Sequence, residues 1–364
     1  MIHRVKAQVC LNRIAQNYNY IQSLTNGKPV MAVIKADAYG HGAVQVGRKL
    51  QEIGCRYFAV ATLDEAKELR DSGIDGNILI LGPTDKEFIP DIIKNGFLQA
   101  CDSFAYAKEL AQFGKVRIHV KVDSGMSRLG LYCHNKDDII RVTDEIKEIS
   151  KLDLSIEGIF THFADSDGEN KDYTQKQFDV FSALLDELKR QGIDVGIRHC
   201  CNSAATLRYP EMHLDMVRAG IILYGLMPSA NVKDENIGLA MKWSARVCSI
   251  HELKAGDCVS YGCTYRAEKD TRAAVISIGY ADGFSRVYSG KTTVRINQKE
   301  CSVIGKICMD MCVVDIGQDF DCKVGDEAII FENNDDVERL AQTLGTINYE
   351  IVCSLKRRAY FEYI

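Results

Sequence analysis

The sequence predicts an α/β protein: a (β/α)8 TIM barrel followed by a mostly β C-terminal domain. Three observations carry that prediction. Apolar runs of strand length alternate with helix-patterned segments eight times over roughly the first 220 residues, the signature of a closed parallel barrel. Beyond Pro228 the helices thin out and short strand-like runs follow one another with turn residues between them. The ends of the first eight runs also carry residues unusual for strand ends, namely Lys35, Lys121, Asp123, His162, His199, Asn202, Ser203 and Arg218. The competing architecture is a doubly wound open sheet.

Taken in order, residues 30–35 form the first strand, a continuous apolar run that reads as buried on both faces. Residues 43–53 have helical spacing. Residues 57–61 are the second strand, and Asp64 caps a helix through Leu69. Residues 78–81, a helix over 89–93, residues 97–101 and a helix over 103–113 continue the alternation. Residues 116–122 alternate cleanly as the fifth strand, and a helix over 138–149 follows. Residues 156–161 are the sixth strand. The helix over 172–191 places Phe178, Phe181, Leu185 and Leu188 on one face and stops at Gly192. Residues 195–200 and 214–218 are the seventh and eighth strands. In the second part, residues 247–250, 257–261, 273–278, 293–296, 302–307, 312–316 and 328–331 read as strands. One helix over 336–344 is capped by Asp335 or Asp336 and closed by Gly345. The boundary falls in the polar stretch 228–238, giving domains 1–232 and 233–364.

The totals narrow the function classes. A chain of 364 residues that is 46% hydrophobic and 26% charged has an ordinary soluble composition. A net charge of −5 gives no reason to expect nucleic-acid binding. The N-terminal residues lack the apolar core of a signal peptide, and no apolar run is long enough to span a bilayer, so the expected location is cytoplasmic. The 14 cysteines sit mostly inside apolar runs and read as reduced, small hydrophobes. Neither Cys200-Cys201 nor Cys308 with Cys312 has the spacing of a structural zinc site, so no metal is expected.

The stretch around Lys35 carries the chemistry. A lysine closing a buried strand is costly unless its ammonium is paired or used chemically. In a partly desolvated pocket its pKa falls and it can form a Schiff base with a carbonyl compound. The bland alternative is a lysine that snorkels to solvent. In a barrel the active site lies at the C-terminal strand ends, with phosphate held after strands seven and eight. Asn202-Ser203 and Gly220-Ile221 stand there, offering a hydroxyl and backbone N–H groups. The stretches 259–262, 279–283 and 305–311 of the second part each read either as tight turns or as site loops.

Together these stretches resemble the alanine racemase family, the fold-type III pyridoxal phosphate enzymes. The resemblance rests on Val33-Ile34-Lys35-Ala36-Asp37-Ala38-Tyr39-Gly40-His41-Gly42, Lys121-Val122-Asp123-Ser124-Gly125-Met126-Ser127-Arg128-Leu129-Gly130, Thr161-His162-Phe163 and Asn202-Ser203-Ala204-Ala205. It rests also on Val217-Arg218-Ala219-Gly220-Ile221, Tyr261-Gly262, Ile278-Gly279-Tyr280-Ala281-Asp282-Gly283, Cys308-Met309-Asp310 and Ile347-Asn348-Tyr349-Glu350. It runs from Lys35 to about Cys353. It departs at Ala7–Leu11, where the family's first strand is loosely kept, and in the ending 355–361.

The resemblance implies pyridoxal 5'-phosphate and a homodimer with shared active sites. Lys35 would hold the cofactor as a Schiff base. Tyr39, Ser203, Gly220, Ile221 and Tyr349, with Asn202 beside Ser203, would bind its phosphate. Arg218 would face the pyridine nitrogen. Lys35 and Tyr261 would be the two catalytic bases, with His162, Arg218 and His199 tuning the tyrosine. Arg128 and the Met309 backbone would hold the substrate carboxylate. Tyr261, Met309 and Asp310 would come from the second subunit, and Lys121 would be carbamylated. The implied activity is interconversion of L- and D-alanine, supplying D-amino acid for peptidoglycan. The alternatives are the catalytic domain of a membrane-anchored serine racemase of vancomycin resistance, a pyridoxal phosphate decarboxylase, and a non-catalytic carrier of the cofactor.

Overall fold

The computed structural model describes residues 3–356 and 358–364, which form two compact units, one within residues 14–238 and the other from residues 3–13 with the described part of 239–364. In the first, eight parallel strands run Val30–Val33, Tyr57–Val60, Asn77–Ile80, Leu98–Cys101, Val116–Asp123, Leu154–Phe160, Ile197–His199 and Val217–Ala219. The first seven pair in that order, and the eighth pairs with the first through Val217 opposite Val30. The seam between strands seven and eight has no ladder. It is stitched by Asp215 N–H to Arg198 O and Arg218 N–H to Cys201 O, both 3.0 Å. The strand order is that of a nearly closed barrel and not of an open doubly wound sheet.

The strands form where the sequence is apolar without a break, because helices cover the outside and side chains fill the inside. Val30, Met31, Ala32 and Val33 are all buried. The helix after the second strand runs Leu63–Asp71. Its cap is Thr62 and not Asp64. The Thr62 hydroxyl accepts from Glu65 N–H while the Glu65 carboxylate accepts from Thr62 N–H, a reciprocal capping box. The helix Asp172–Arg190 buries Val180, Phe181, Leu184, Leu185 and Leu188, while Phe178 is only half-buried. Helix Leu11–Leu24 has no counterpart in the sequence reading. Its buried Asn17 bonds to Leu223 O, Gly238 O and Gly238 N, so a polar side chain inside the fold is satisfied on every side.

In the second unit, six strands close on themselves: Thr271–Ile276, Cys312–Asp315, Lys299–Ile304, Thr293–Ile296, Glu327–Phe331 and Met241–Leu253, the last pairing back to the first. All of these contacts are antiparallel. The long strand Met241–Leu253 also pairs antiparallel with Val5–Val9, which in turn pairs in parallel with Tyr360–Tyr363. The two chain ends therefore meet in this sheet, whereas the sequence reading counted residues 1–232 with the barrel. The helix Asn334–Leu344 is capped by Asn333, whose side chain accepts from Asp336 N–H at 2.9 Å, and not by Asp335 or Asp336. Gly345 ends it in the left-handed region at φ 70°. A second short helix, Asn348–Cys353, carries Tyr349 on its first turn.

Candidate active site

The first barrel strand ends at Val33, and Lys35 opens a tight turn instead of closing the strand. Ala36, Asp37, Ala38 and Tyr39 all lie in the left-handed region, with φ from 52° to 54°. Each such non-glycine residue costs about 1–2 kcal/mol, so the turn needs outside support. Glu65 supplies it. One carboxylate oxygen accepts from Ala36 N–H at 2.6 Å and the other from Ala61 N–H at 2.7 Å, tying the turn to the end of the second strand. Asp37 accepts from Ala43 N–H at 2.7 Å. The turn leaves Lys35 half-buried and Tyr39 buried.

Tyr39 is aimed at the loop after strand eight. A β-carbon built on Gly220 would stand 2.8 Å from the Tyr39 hydroxyl and 3.5 Å from Ser203 Oγ. Gly220, with no side chain, keeps that space open. Ser203 Oγ accepts from Gly220 N–H at 2.9 Å and keeps its own proton to donate. The buried Ile221 N–H has no acceptor among the described residues, the sort of orphan a phosphate oxygen satisfies. Two hydroxyls, a bare glycine and an orphan N–H converge on one small space, which fits a phosphate. Asn202 has a different local task. Its side chain caps the helix Ser203–Arg208 by accepting from Ala205 N–H at 2.9 Å, and it also accepts from the Ser166 hydroxyl.

Arg218 is buried beside this cradle. It donates to His199 Nδ1 at 2.9 Å, His162 Nδ1 at 3.1 Å, Thr161 O at 2.9 Å and Cys200 O at 2.9 Å. Its Nε–H finds no acceptor among the described residues. Burial pulls its pKa down to about 10, which leaves it charged at neutral pH. His162 and His199 are pushed well below the ordinary histidine value, first by burial and then by the Arg218 charge. Both are therefore neutral. Because Arg218 only donates, each presents a lone pair at Nδ1 and carries its proton on Nε2.

Lys121 is buried on the fifth strand, with its ammonium 4.5 Å from the centre of the Phe160 ring. It makes no hydrogen bond or ion pair among the described residues. Burial, Arg218 and Arg128 hold its pKa well down, against the pull of Asp123. Arg128 itself is exposed, on a loop that Asp123 organises. One Asp123 oxygen accepts from Gly125, Met126 and Ser127 N–H at 2.8–3.0 Å.

The remaining predicted residues belong to the second unit. Tyr261 is 69% exposed, on a turn Tyr261–Cys263 and not on a strand. Ser260 before it has φ 62° and hydrogen-bonds Lys306 O. Met309 is exposed on the turn between strands Lys299–Ile304 and Cys312–Asp315. Its carbonyl accepts from Ala281 N–H at 3.0 Å, while its own N–H has no acceptor among the described residues. A β-carbon on Gly279 would stand 2.4 Å from the Met309 carbonyl oxygen, so only glycine allows that approach. Asp310 accepts from Arg358 at 2.7 Å, and Arg4 grips the buried Asp282 in the adjoining turn with both oxygens at 2.7 Å.

Residues 9–228 match the family model for the alanine racemase N-terminal domain, and residues 240–363 match that for its C-terminal domain. The chain belongs to the alanine racemase family. The alanine racemase of Clostridium perfringens is 41% identical over 98% of this chain and 94% of its own length. That of Methanococcus maripaludis is 40% identical over 98% of this chain and 97% of its own. Among solved structures, the Clostridium difficile alanine racemase superposes with a TM-score of 0.93 at 40% identity, covering all of this chain and 96% of that one.

Set against the alanine racemase motifs, two working residues escaped the sequence reading. Glu65, which holds the Lys35 turn, was signalled by the Thr62-x-x-Glu65 capping box. His119, whose Nδ1 lies 2.8 Å from His199 Nε2, was signalled by His119, Lys121 and Asp123 falling on one face at every second position of the fifth strand. The ending 355–361 includes Arg357, which lies outside the described residues. Arg358 in the same stretch pairs with both Asp310 and Asp282.

Proposed function

We propose that this chain is a pyridoxal 5'-phosphate-dependent racemase that interconverts L- and D-alanine, with a supply of D-alanine to peptidoglycan as its role. The observation that carries the proposal is the convergence of Lys35, the Tyr39–Ser203–Gly220 cradle and the Arg218 guanidinium at one end of the barrel. Lys35 would hold the cofactor. Tyr39, Ser203, Gly220, Ile221 and Tyr349 would bind its phosphate, with Asn202 fixing the helix that carries Ser203. When bound, the group supplies an electron sink that acidifies the α-C–H bond of an amino acid.

Arg218, held charged by its geometry, would keep a facing ring nitrogen unprotonated and so moderate that sink. Lys35 would exchange the α-proton on one face of the substrate and Tyr261 on the other. A phenol with an ordinary pKa of about 10 is a weak base at neutral pH. A hydrogen bond from His162 Nε2–H would favour its phenolate form. Arg128 and the Met309 N–H would bind the substrate carboxylate, with Asp310 and its partner Arg358 fixing the Met309 turn. We assign Tyr261, Met309 and Asp310 to the site of a second copy, which makes a homodimer the working unit. Lys121 as a carbamate would attract Arg128, where an ammonium would repel it.

All 14 cysteines are free thiols, which supports a reducing, cytoplasmic location. No helix among the described residues is long and apolar enough to cross a membrane. Serine is the second substrate to test, since a small pocket does not strongly reject an added hydroxyl. The experiment is α-deuterium incorporation in heavy water with L-alanine and, separately, L-serine, both enantiomers being resolved. Exchange with inversion and a preference for alanine is expected. A preference for serine would move the assignment to the serine racemases. No exchange with either would overturn it.

A further inference from the structure

Behind Arg218 stands a pair of buried imidazoles that the proton exchange itself does not use. His199 and His119 are both almost without solvent exposure. Arg218 NH1 is 2.9 Å from His199 Nδ1, and His199 Nε2 is 2.8 Å from His119 Nδ1. A guanidinium only donates, so His199 Nδ1 must accept. The single proton of the neutral ring then sits on Nε2, and His119 Nδ1 must accept it in turn. The chain of donors has one direction: Arg218 to His199 to His119.

The surroundings hold each ring in that role. His199 stacks on Phe160 with centroids 4.9 Å apart and planes 3° from parallel. His119 lies flat on strand six, where a β-carbon on Gly158 would stand 2.5 Å from Cε1 and 2.6 Å from Nδ1. Glycine at 158 is thus what makes room for the ring. The charged groups facing the pair are Arg218, Lys121, Arg117 and Glu157.

We propose that His119, seated on Gly158, is a positioning residue that fixes the tautomer of His199 and through it the orientation of Arg218. The inference rests on the proposed racemase reading for its catalytic consequence but not for its structural content. Without an acceptor at position 119, the His199 Nε2–H is buried and unsatisfied. The ring then gains by flipping or exchanging tautomers, and Arg218 loses a fixed acceptor.

The variants are His119→Gln, whose amide oxygen can accept in place of Nδ1, His119→Leu, which cannot, and Gly158→Ala, which displaces the ring. Three readouts are taken: 15N shifts of His199 in the cofactor-free protein, pyridoxal phosphate absorbance against pH, and kcat/KM for alanine. His119→Gln should keep the Nε2–H tautomer signature and stay within about threefold of the parent. His119→Leu and Gly158→Ala should lose that signature, shift the absorbance titration and lower kcat/KM on the order of tenfold or more. If His119→Leu does not fold, Gly158→Ala and His119→Gln decide between them. Equal behaviour of the accepting and non-accepting variants in the 15N spectra would overturn the proposal. A wild-type protein that shows the tautomer signature but neither binds the cofactor nor racemises would instead overturn the racemase reading.

Discussion

The Tyr39 hydroxyl lies where a β-carbon on Gly220 would approach to 2.8 Å. The space belongs to whatever Tyr39, Ser203 and the Ile221 N–H jointly bind, and a single methyl group would intrude on it. Gly220→Ala places that methyl group in the space itself, 2.8 Å from the Tyr39 hydroxyl. Its effect should therefore be read first in cofactor binding. Titrating the cofactor-free variant with pyridoxal phosphate should show affinity reduced by about tenfold or more, the cost of displacing one or two charge-assisted hydrogen bonds. Its melting temperature without cofactor, measured alongside, separates a loss of fold from a loss of the binding space. Unchanged affinity would mean that the phosphate sits elsewhere.

The two proposed bases should separate cleanly. Lys35→Ala removes the only side chain of the strained turn positioned to hold the cofactor covalently. It should abolish the visible absorbance of the lysine-bound cofactor together with racemisation. Tyr261→Phe should leave that absorbance in place and slow α-proton exchange from one enantiomer far more than from the other. Exchange measured from L-alanine and D-alanine separately in heavy water checks this. Equal rates, both near the parent's, would refute the tyrosine's role.

How far the sequence foretold these residues depends on how local their determinants are. The eight barrel strands were legible because two-sided burial writes a continuous apolar run, as in Val30–Val33. That the loops carrying Ser203 and Gly220 would come together was legible because they follow strands seven and eight of one barrel. Lys35 was placed at the end of the strand and not at the head of the turn, because nothing in Ala36-Asp37-Ala38-Tyr39 announces four left-handed residues. That conformation is imposed by Glu65, 29 positions away. Tyr360–Tyr363 was missed, and Val5–Val9 was seen only as a loosely kept family strand at Ala7–Leu11, for a similar reason. Each is short, and what makes them strands is the pairing of the two chain ends with each other and with Met241–Leu253.

Buried neutral histidines set a pH window for stability. Burial holds His41 and His119 down to about 4, and His162 and His199 also lie well below the ordinary value. An unfolded histidine takes up its proton at about pH 6.5. Their stabilising contribution is therefore complete above that pH and is lost as the pH falls toward 4, because the unfolded chain binds protons that the folded one refuses. For His41 and His119 the full loss is roughly 3 kcal/mol each. The depressed carboxylates Asp123, Glu157 and Asp215 act only at lower pH, so the two effects separate. Melting temperature of the cofactor-free protein should fall steadily between about pH 6.5 and about pH 4.5. A flat profile there would mean that these rings are solvated.

Lys121 makes the sharpest prediction about the substrate carboxylate. As an ammonium it would be a buried cation flanked by Arg218 and Arg128, met by the Phe160 face and the more distant pull of Asp123, an arrangement in which burial and the two arginines disfavour the charge. The same depression favours the neutral amine, the form that adds carbon dioxide, over the ammonium. The product would carry a negative charge toward Arg128 and convert a repulsion into an attraction. The new N–C bond releases one amine proton, so intact mass measured under mild neutral conditions should exceed the sequence mass by one carbon dioxide, and acid should remove the excess. Lys121→Ala should raise KM for alanine by about tenfold, as expected when one charge-assisted contact to the substrate is loosened. The cofactor absorbance should stay as in the parent, because Lys35 and the cradle are untouched. An unmodified mass together with an unchanged KM would return Lys121 to a purely structural place on the fifth strand.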